Sequence, residues 1–283
     1  MALRVLRTVA ELHAWRARQG RVGLVPTMGA LHEGHRSLVA RAVAAQDATL
    51  VSIFVNPTQF GPDDDYATYP RSEAEDLRLL ADAGAAAVFA PSAAEMYPPG
   101  DATTVDPGPV ALRLEGALRP GHFRGVATVV VKLLTQAAPD VAYFGQKDFQ
   151  QLRVIQEVRR RLGLRTRIAG CATVREADGL ALSSRNAYLD PAERDRALAL
   201  SAGLFAARDA WLGGVREPAR LRALALERAR PAGPLDYLSV ADPLTLDELD
   251  HPAERAVILI ATRIGRTHLI DNVLLGMDLA ELD

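Results

Sequence analysis

The chain has 283 residues, of which 49% are hydrophobic and 24% are charged, so its composition is that of a globular protein. Its net charge of −2 gives no basic surface for a nucleic acid, and its one cysteine, Cys171, excludes a disulfide framework. The sequence shows neither a signal peptide nor an apolar stretch long enough to span a bilayer, so we expect a cytoplasmic protein without a membrane partner.

Strand-like and helix-like segments alternate through the first 175 residues. This alternation favours a parallel sheet covered by helices on both faces, which is an α/β fold. Ser72 and Glu75 have the spacing of a capping box at the start of one helix. We predict strands at residues 21–26, 49–55, 86–90, 141–144 and 165–169, and helices at residues 35–45, 73–83, 123–136 and 149–162.

The pattern changes near residue 175. Asp190, Pro191 and Glu193 form a strong helix start after a polar loop at residues 180–189. A hairpin turn is expected over residues 263–266. We therefore predict two domains, residues 1–175 and 176–283, of which the second is smaller and of the α+β class. Its helices are predicted at residues 192–212 and 217–229, and its antiparallel strands at residues 236–240, 256–262 and 267–271.

Residues 24–38 carry the most information about function. An apolar strand ends at Pro26, a turn follows around Gly29, and two histidines, His32 and His35, stand at the start of the next predicted helix. A strand, a glycine turn and a helix N-terminus form a phosphate-binding layout, because free backbone N–H groups and the helix dipole both favour an anion. Two imidazoles at this place add N–H donors for a phosphate.

Several kinds of site share parts of this pattern. A P-loop is excluded because His35 and Arg36 stand where it needs Lys and Ser or Thr. A zinc-protease helix needs histidines four residues apart, whereas His32 and His35 are three apart. Two alternatives stay open: the His-x-Gly-His signature of adenylate-forming nucleotidyl transferases, and ordinary surface or capping histidines.

Further polar residues follow the predicted strands, where α/β proteins gather their ligands. Asn56 and Gln59 could bind the hydroxyls or the carboxylate of a substrate, or Asn56 could serve only a turn. Asp76 is a candidate Mg²⁺ ligand, with favourable helix-dipole placement as the alternative. The acidic run Asp63–Asp65 is expected to be a solvated turn, with metal binding as the alternative, and the basic segment at residues 119–125 is interpreted as a gate or a loop.

Only two of the 33 basic residues are lysines, Lys132 and Lys147, so each is a candidate for a role that arginine cannot fill. Lys132 lies in an apolar helix and is expected to extend along it toward solvent. Lys147 follows a strand and is the better candidate. Ser183, Ser184 and Arg185 offer two hydroxyls and a guanidinium that suit triphosphate oxygens, although such a segment is more often a linker.

Together these segments resemble the pantothenate synthetase (pantoate–β-alanine ligase) family, within the His-x-Gly-His nucleotidyl transferases. The resemblance covers nearly the whole chain and rests on four motifs in order: residues 26–35, 54–60, 144–148 with Gln151, and 182–186. It implies a homodimer in which each subunit has a Rossmann-like ATP domain and a smaller C-terminal lid domain. It also implies the conversion of ATP, (R)-pantoate and β-alanine to pantothenate, AMP and pyrophosphate through a pantoyl adenylate.

The resemblance further implies roles for individual residues. His35 would be the catalytic histidine, and Gln59 and Gln151 would hold pantoate, with Gln59 also near β-alanine. Gln146 and Leu182 stand where the family usually has Glu and Met, and they keep a similar size. The implied ATP contacts are Met28, Gly29, Ala30, Leu31, His32, Glu33, Gly34, His35, Gly145, Gln146, Lys147, Asp148, Val174, Leu182, Ser183, Ser184 and Arg185.

The implied chemistry needs charge stabilisation rather than a covalent enzyme intermediate. The pantoate carboxylate would attack the α-phosphorus of ATP, and the amine of β-alanine would then attack the acyl adenylate. We assign the developing charge to Mg²⁺ and to four side chains, those of His32, His35, Lys147 and Arg185. The rival interpretations are a nucleotidyl transferase of the same superfamily that acts on another small acid or phosphate, and a non-catalytic ATP-binding module.

Overall fold

The computed structural model describes residues 2–62 and 66–282. The predicted acidic turn Asp63–Asp65 lies outside this part of the chain. The described residues divide into two compact units. The first contains residues 2–62, 66–145 and 150–171, and the second contains Gln146–Phe149 and Ala172–Leu282. The short segment Gln146–Phe149 therefore belongs to the second unit, although the chain on both sides of it belongs to the first.

The first unit is built on a parallel sheet, as predicted. Its strands are β1 (Arg4–Leu6), β2 (Val22–Thr27), β3 (Ala48–Ile53), β4 (Ala87–Phe89), β5 (Val141–Gly145) and β6 (Arg167–Cys171). Within the described residues the order is β1-β4-β3-β2-β5-β6, and every neighbouring pair is parallel. Residues 48–52 of β3 are all buried. Because alternate residues of a strand point to opposite faces, both faces of the sheet are covered there.

Helices connect these strands. They are α1 (Val9–Arg16), α2 (Glu33–Ala45), α3 (Glu73–Asp82), α4 (Ala93–Met96), α5 (Glu115–Leu118), α6 (His122–Ala137) and α7 (Phe149–Leu162). The capping box predicted for α3 is wrong. Ser72 has φ −127° and ψ 49° and makes no side-chain cap bond. This backbone lies outside the extended conformation typical of an N-cap, and the hydroxyl donates to Asp76 Oδ1 at 3.4 Å.

The second unit combines two helices with an antiparallel sheet. Its elements are α8 (Pro191–Leu212), α9 (Pro218–Ala229), β7 (Leu235–Ala241), β8 (Ala256–Ile264) and β9 (Thr267–Leu275), with the strand order β7-β8-β9. The predicted start of α8 is confirmed, since Asp190 Oδ1 accepts the amide of Glu193 at 2.8 Å and the Glu193 carboxylate accepts the amide of Asp190. Leu204 and Trp211 of α8 share a buried core with Ile258 and Ile260 of β8.

Across both described stretches of the chain, no helix is long and apolar enough to cross a membrane.

Candidate functional site

The ends of neighbouring strands bring two of the predicted segments together. β2 and β3 pair in register through Thr27 and Ile53, so the residues that follow each strand start at the same edge of the sheet. Residues 28–32 link β2 to α2, and a 3₁₀ turn, Pro57–Gln59, follows β3. The two segments are in contact, because Gln59 Nε2 lies 3.3 Å from the sulfur of Met28.

A left-handed turn links β2 to α2. Gly29 has φ 85° and Ala30 has φ 51°. The first value suits glycine, whereas the second strains an alanine. The carboxylate of Asp76 on α3 holds this turn, because it accepts the amide of Ala30 at 3.0 Å and that of Leu31 at 2.8 Å. Burial raises the pKa of Asp76, although these two N–H bonds act in the opposite direction.

These bonds change the expected source of phosphate affinity. The amides of residues 29–31 donate to Asp76 and to the hydroxyl of Thr27. The expectation that this turn offers free N–H groups is therefore wrong for these three amides, because protein oxygens already accept them. Any anion affinity of this segment is therefore expected from the residues at the start of α2, among them His32 and His35.

The same geometry bears on the predicted Mg²⁺ ligand. The two oxygens of Asp76 accept backbone N–H groups, so the carboxylate faces the turn and does not fit a metal-coordinating role. Among residues 2–62 and 66–282, no cluster of three or more His, Cys, Asp or Glu residues could hold a metal ion. The structure therefore gives Asp76 the role of a clamp on the turn instead.

The two predicted histidines form a reciprocal cap at the start of α2. His32 is the N-cap residue, and its Nδ1 accepts the amide of Gly34 at 3.1 Å. The Nδ1 of His35 accepts the amide of His32 at 3.3 Å. The centres of the two rings are 4.2 Å apart. The interpretation of the two histidines as helix-capping residues therefore agrees with the structure.

Capping and phosphate binding do not compete in this arrangement. A ring nitrogen that accepts a hydrogen bond carries no proton, so each neutral imidazole must carry its proton on Nε2. In that form Nε2 is the ring nitrogen of His32 and of His35 that bears the proton. The cap fixes the tautomer that a phosphate oxygen requires.

The amide of Asn56 is fully used inside the protein. The residue is 1% exposed, and its Nδ2 donates to Gln59 Oε1 at 3.0 Å and to the carbonyl of Gly125 at 3.1 Å. Its Oδ1 accepts the hydroxyl of Tyr97 at 2.8 Å and the hydroxyl of Thr58 at 3.0 Å. An amide has only two N–H donors, so Asn56 has none left for a substrate. The geometry therefore favours a positioning role over the predicted substrate contact.

What Asn56 positions is the amide of Gln59. Because Gln59 Oε1 accepts from Asn56, the Nε2 group of Gln59 is directed to the other side, where Met28 lies. Gln59 is 8% exposed. A held Nε2 group supplies N–H donors, which suit a carboxylate or a hydroxyl oxygen.

Two residues of this network, His122 and Tyr97, had no individual role predicted from the sequence, although His122 lies in the segment at residues 119–125 that was interpreted as a gate or a loop. His122 Nδ1 lies 2.8 Å from the carbonyl of Gln59, and Tyr97 holds Asn56 from the opposite side. A signal for the first was present at Gly125, where an added Cβ would lie 2.3 Å from the carbonyl oxygen of Thr58. Only glycine permits α6 to approach the 3₁₀ turn so closely. Tyr97 follows a four-residue helix and has no comparable sequence signal.

Lys132 is anchored rather than extended toward solvent. Its ammonium pairs with the carboxylate of Asp101 and lies 5.1 Å from the centre of the Tyr97 ring. The hydrogen bond from Lys132 lowers the pKa of Asp101 to about 2. Lys132 therefore supports the outer side of the network around Asn56.

The first unit holds two more of the predicted residues. Gly145 is the last residue of β5, and Gln151 is half-buried in the first turn of α7. The neighbouring Gln150 is buried and donates to the carbonyls of Val110 and Arg113, so it is fixed to the protein itself.

The second unit carries the predicted cations. Residues 146–148 form a 3₁₀ turn, and Lys147 Nζ lies 3.7 Å from Asp148 Oδ1. The amide of Asn272 on β9 donates to the carbonyl oxygens of Gln146 and Lys147. Sequence patterns give no sign of this contact, because the partners are about 125 residues apart.

One loop of the second unit collects the other predicted nucleotide contacts. The amide of Leu182 donates to the carbonyl of Val174 at 3.0 Å, which closes a narrow hairpin. Ser183 Oγ then accepts the amide of Arg185 at 3.3 Å, where the 3₁₀ turn Ser184–Tyr188 begins. The segment is therefore an ordered cap and not a linker.

Comparison with known proteins identifies the family. A family model described as pantoate-beta-alanine ligase matches residues 4–274. The pantothenate synthetase of Roseiflexus castenholzii is 53% identical, over 96% of this chain and 99% of its own length. Pantothenate synthetase 1 of Bradyrhizobium diazoefficiens is 51% identical, over 97% and 99%.

Solved structures agree with this assignment. The pantothenate synthetase of Thermus thermophilus has a TM-score of 0.91 and 45% identity, and the match covers 95% of this chain and 98% of that one. A pantoate-beta-alanine ligase from Francisella tularensis, complexed with beta-gamma ATP and beta-alanine, has a TM-score of 0.80 and 34% identity, over 98% of this chain and all of its own. The chain belongs to the pantoate-beta-alanine ligase family.

Proposed function

We propose that the chain is an ATP-dependent ligase that joins (R)-pantoate to β-alanine and releases AMP and pyrophosphate. The observation that carries the proposal is the reciprocal cap of His32 and His35 at the start of α2, in a segment whose Met28 contacts the Gln59 amide, in a chain of this family. The Francisella tularensis relative complexed with beta-gamma ATP and beta-alanine supports the choice of substrates.

The reaction proceeds in two steps. An oxygen of the pantoate carboxylate attacks the α-phosphorus of ATP in line, the bond to the β-phosphate oxygen breaks, and pyrophosphate leaves with the electron pair. The neutral amine of β-alanine then attacks the acyl carbon of the adenylate, loses a proton, and expels AMP. Both steps develop negative charge on phosphate oxygens, and preorganised donors stabilise such charge.

The proposal assigns residues of both units to this reaction. The Nε2–H groups of His32 and His35 and the cations of Lys147 and Arg185 stabilise charge on the phosphates, with His35 as the catalytic histidine. Gln59 and Gln151 hold pantoate, and Gln59 also lies near β-alanine. The remaining ATP contacts are proposed to be Met28, Gly29, Ala30, Leu31, Glu33, Gly34, Gly145, Gln146, Asp148, Val174, Leu182, Ser183 and Ser184.

The proposal also covers the metal ion, the oligomeric state and the cellular location of the enzyme. Mg²⁺ is proposed to act on the phosphates of ATP, where it supplies positive charge; an ion held mainly by substrate phosphates does not require a protein cage. The active form is proposed to be a homodimer, as the resemblance implies. Its location is proposed to be the cytoplasm, where ATP is abundant.

An assay that omits one substrate at a time tests the function. With ATP, pantoate and β-alanine all present, we expect AMP and a product whose mass is that of pantothenate. Pantoate alone should support isotope exchange between ATP and pyrophosphate, because adenylation does not need the amine. With ATP and β-alanine but no pantoate, we expect neither product formation nor exchange between ATP and pyrophosphate.

The rival functions give different results in the same assay. A nucleotidyl transferase would yield a stable nucleotidylated product and no amide. A non-catalytic module would bind ATP without releasing pyrophosphate. Either result would refute the ligase proposal.

A further inference from the structure

One side-chain amide of the second unit forms all its hydrogen bonds with the segment that carries Lys147. Asn272 on β9 is 2% exposed. Its Nδ2 donates to the carbonyl oxygen of Gln146 at 3.0 Å and to that of Lys147 at 2.9 Å. Its Oδ1 accepts the Nε2 group of Gln146 at 3.2 Å. Both N–H donors of Asn272 and its carbonyl are therefore engaged by two consecutive residues.

A buried ion pair fixes Asn272 in turn. Asp271 is 4% exposed, and its carboxylate receives both terminal nitrogens of Arg175, at 2.6 and 2.9 Å. Asp271 Oδ1 also accepts the amide of Asn272 at 2.7 Å. A two-point pair between arginine and carboxylate is the strongest and most directional kind of ion pair. The main chain of Asn272 is held by this pair.

The same arginine belongs to the loop of the second proposed cation. Arg175 follows Val174, pairs in a β-bridge with Ala181, and donates to the carbonyl of Gly179 at 3.1 Å. Arg185 lies four residues beyond Ala181. A continuous set of contacts thus runs from the main chain of Lys147 through Asn272, Asp271 and Arg175 to this loop.

We infer that Asn272, held by the Arg175–Asp271 pair, is a positioning residue for the nucleotide reaction. It fixes the main chain at Lys147 to the framework that carries the loop of Arg185, so that the two cations keep a constant separation. The inference rests on the proposed function, because it concerns how two residues of that reaction are oriented. A displacement of about 1 Å in a positioned group can lower a rate by about 100-fold.

The primary test measures pantoate-dependent exchange between ATP and pyrophosphate in Asn272→Ala. We expect kcat/KM for ATP to fall by at least about tenfold. Thr262→Val is the matched control, since Thr262 is equally buried on the neighbouring strand but its hydroxyl donates to the carbonyl of Pro234 at 2.6 Å. We expect its melting temperature to fall while kcat/KM stays within about twofold.

A double-mutant cycle separates positioning from general destabilisation. If Asn272 acts through Lys147, adding Asn272→Ala to Lys147→Ala should cost much less than the same change in the wild type. Equal losses in the two backgrounds, or wild-type kinetics in Asn272→Ala, would overturn the inference. Should Asn272→Ala fail to fold, the cycle is run with Arg175→Lys, which removes the two-point pair and should show the same dependence on Lys147.

The test also distinguishes failure of the inference from failure of the proposed function. Wild-type protein without any exchange activity would refute the function itself. Wild-type exchange combined with an unaffected or additive Asn272→Ala variant would refute only the positioning role.

Discussion

A strained alanine marks the position where a single carboxylate organises the turn between β2 and α2. Ala30 adopts φ 51°, a conformation that costs a non-glycine residue about 1–2 kcal/mol. Its amide and that of Leu31 point at Asp76, which is 3% exposed. Hydrogen bonds to a charged acceptor are worth about 1.5–3 kcal/mol, enough to offset the strain. Asp76 therefore fixes the position of His32, which directly follows this turn.

Removing the charge of Asp76 should disrupt this turn. In Asp76→Asn one of the two side-chain acceptors becomes an N–H donor that faces a backbone N–H group. We expect the exchange rate to fall about 10- to 100-fold with little loss of secondary structure. The exposed neighbour Glu75 provides the control, and Glu75→Gln should keep wild-type kinetics. Unchanged kinetics in Asp76→Asn would exclude the clamp.

The raised pKa of Asp76 gives this clamp a pH dependence. Its carboxyl takes up a proton at a higher pH than an ordinary aspartate, whose pKa is 3.8. Protonation removes one acceptor from the turn, so we expect kcat/KM to fall as the pH decreases through the raised pKa of Asp76. The pH profile of Asp76→Asn should lack this acid limb, and an identical limb in both proteins would contradict the assignment.

The two functions of the histidines can be separated by substitution with asparagine. In His35→Asn the Oδ1 atom can still accept the amide of His32, but the Nε2 donor is lost. We expect α2 and the melting temperature to be largely preserved while the exchange rate falls about 10²- to 10³-fold, the typical cost of one preorganised donor. His13→Asn, at an exposed position of α1, serves as the control. A rate within about twofold of the wild type in His35→Asn would show that only the cap matters.

Among the elements, α7 shows how two arginines paired with one glutamate stabilise a helix. Glu157 accepts from Arg160 at 2.8 Å and from Arg161 at 2.5 Å, and its side chain is 17% exposed. The hydrogen bond from Arg160 is the main reason that the pKa of Glu157 falls to about 2. These pairs follow the i,i+3 and i,i+4 spacing of a helix surface.

The stability that Glu157 contributes should depend on pH. Its pKa is lower in the folded protein than the ordinary value of 4.5, so its contribution is complete above pH 4.5 and is lost as the pH falls to about 2. We expect Glu157→Gln to lower the free energy of unfolding by about 1 kcal/mol at pH 7, and by almost nothing near pH 2. Denaturant unfolding at both values measures this. Asp209→Asn, which removes an exposed pair with Arg208, should have little effect at either pH.

Local patterns predicted several elements whose start and end are encoded in neighbouring residues, but α1 was missed although Thr8 and Glu11 form a capping box at its start. α7 has the predicted bounds, and the capping box of Asp190 places the start of α8 within one residue. The strand β1 was missed because three residues are too few for a period to show. Ser72 has the correct spacing for a cap, but its backbone has φ −127° and ψ 49°, and its side chain makes no cap bond.

The residues of the candidate site also fall into those that local sequence predicts and those that it does not. His32, His35 and Lys147 could be selected from the sequence, because residue type and spacing carry their chemistry. The roles of Asn56, Asp76 and Asn272 could not, because each is defined by hydrogen bonds to main-chain groups on distant segments. Such partners are set by the packing of the strands and helices and leave no periodic trace in the sequence.

At the scale of the whole molecule, the proposed reaction draws on two compact units. In the proposal, the histidine pair and the Gln59 network belong to the first unit, and Lys147 and the loop of Arg185 belong to the second. The central claim is that an oxygen of a carboxylate becomes bonded to the α-phosphorus of ATP before the amide forms.

Isotope transfer tests this claim most directly. The enzyme is supplied with ATP, β-alanine and pantoate whose two carboxylate oxygens are both ¹⁸O, and the products are analysed by mass spectrometry. One ¹⁸O atom should appear in AMP and the other in the amide carbonyl of pantothenate, in equal amounts. Unlabelled AMP, or label in inorganic phosphate together with ADP, would contradict attack at the α-phosphorus.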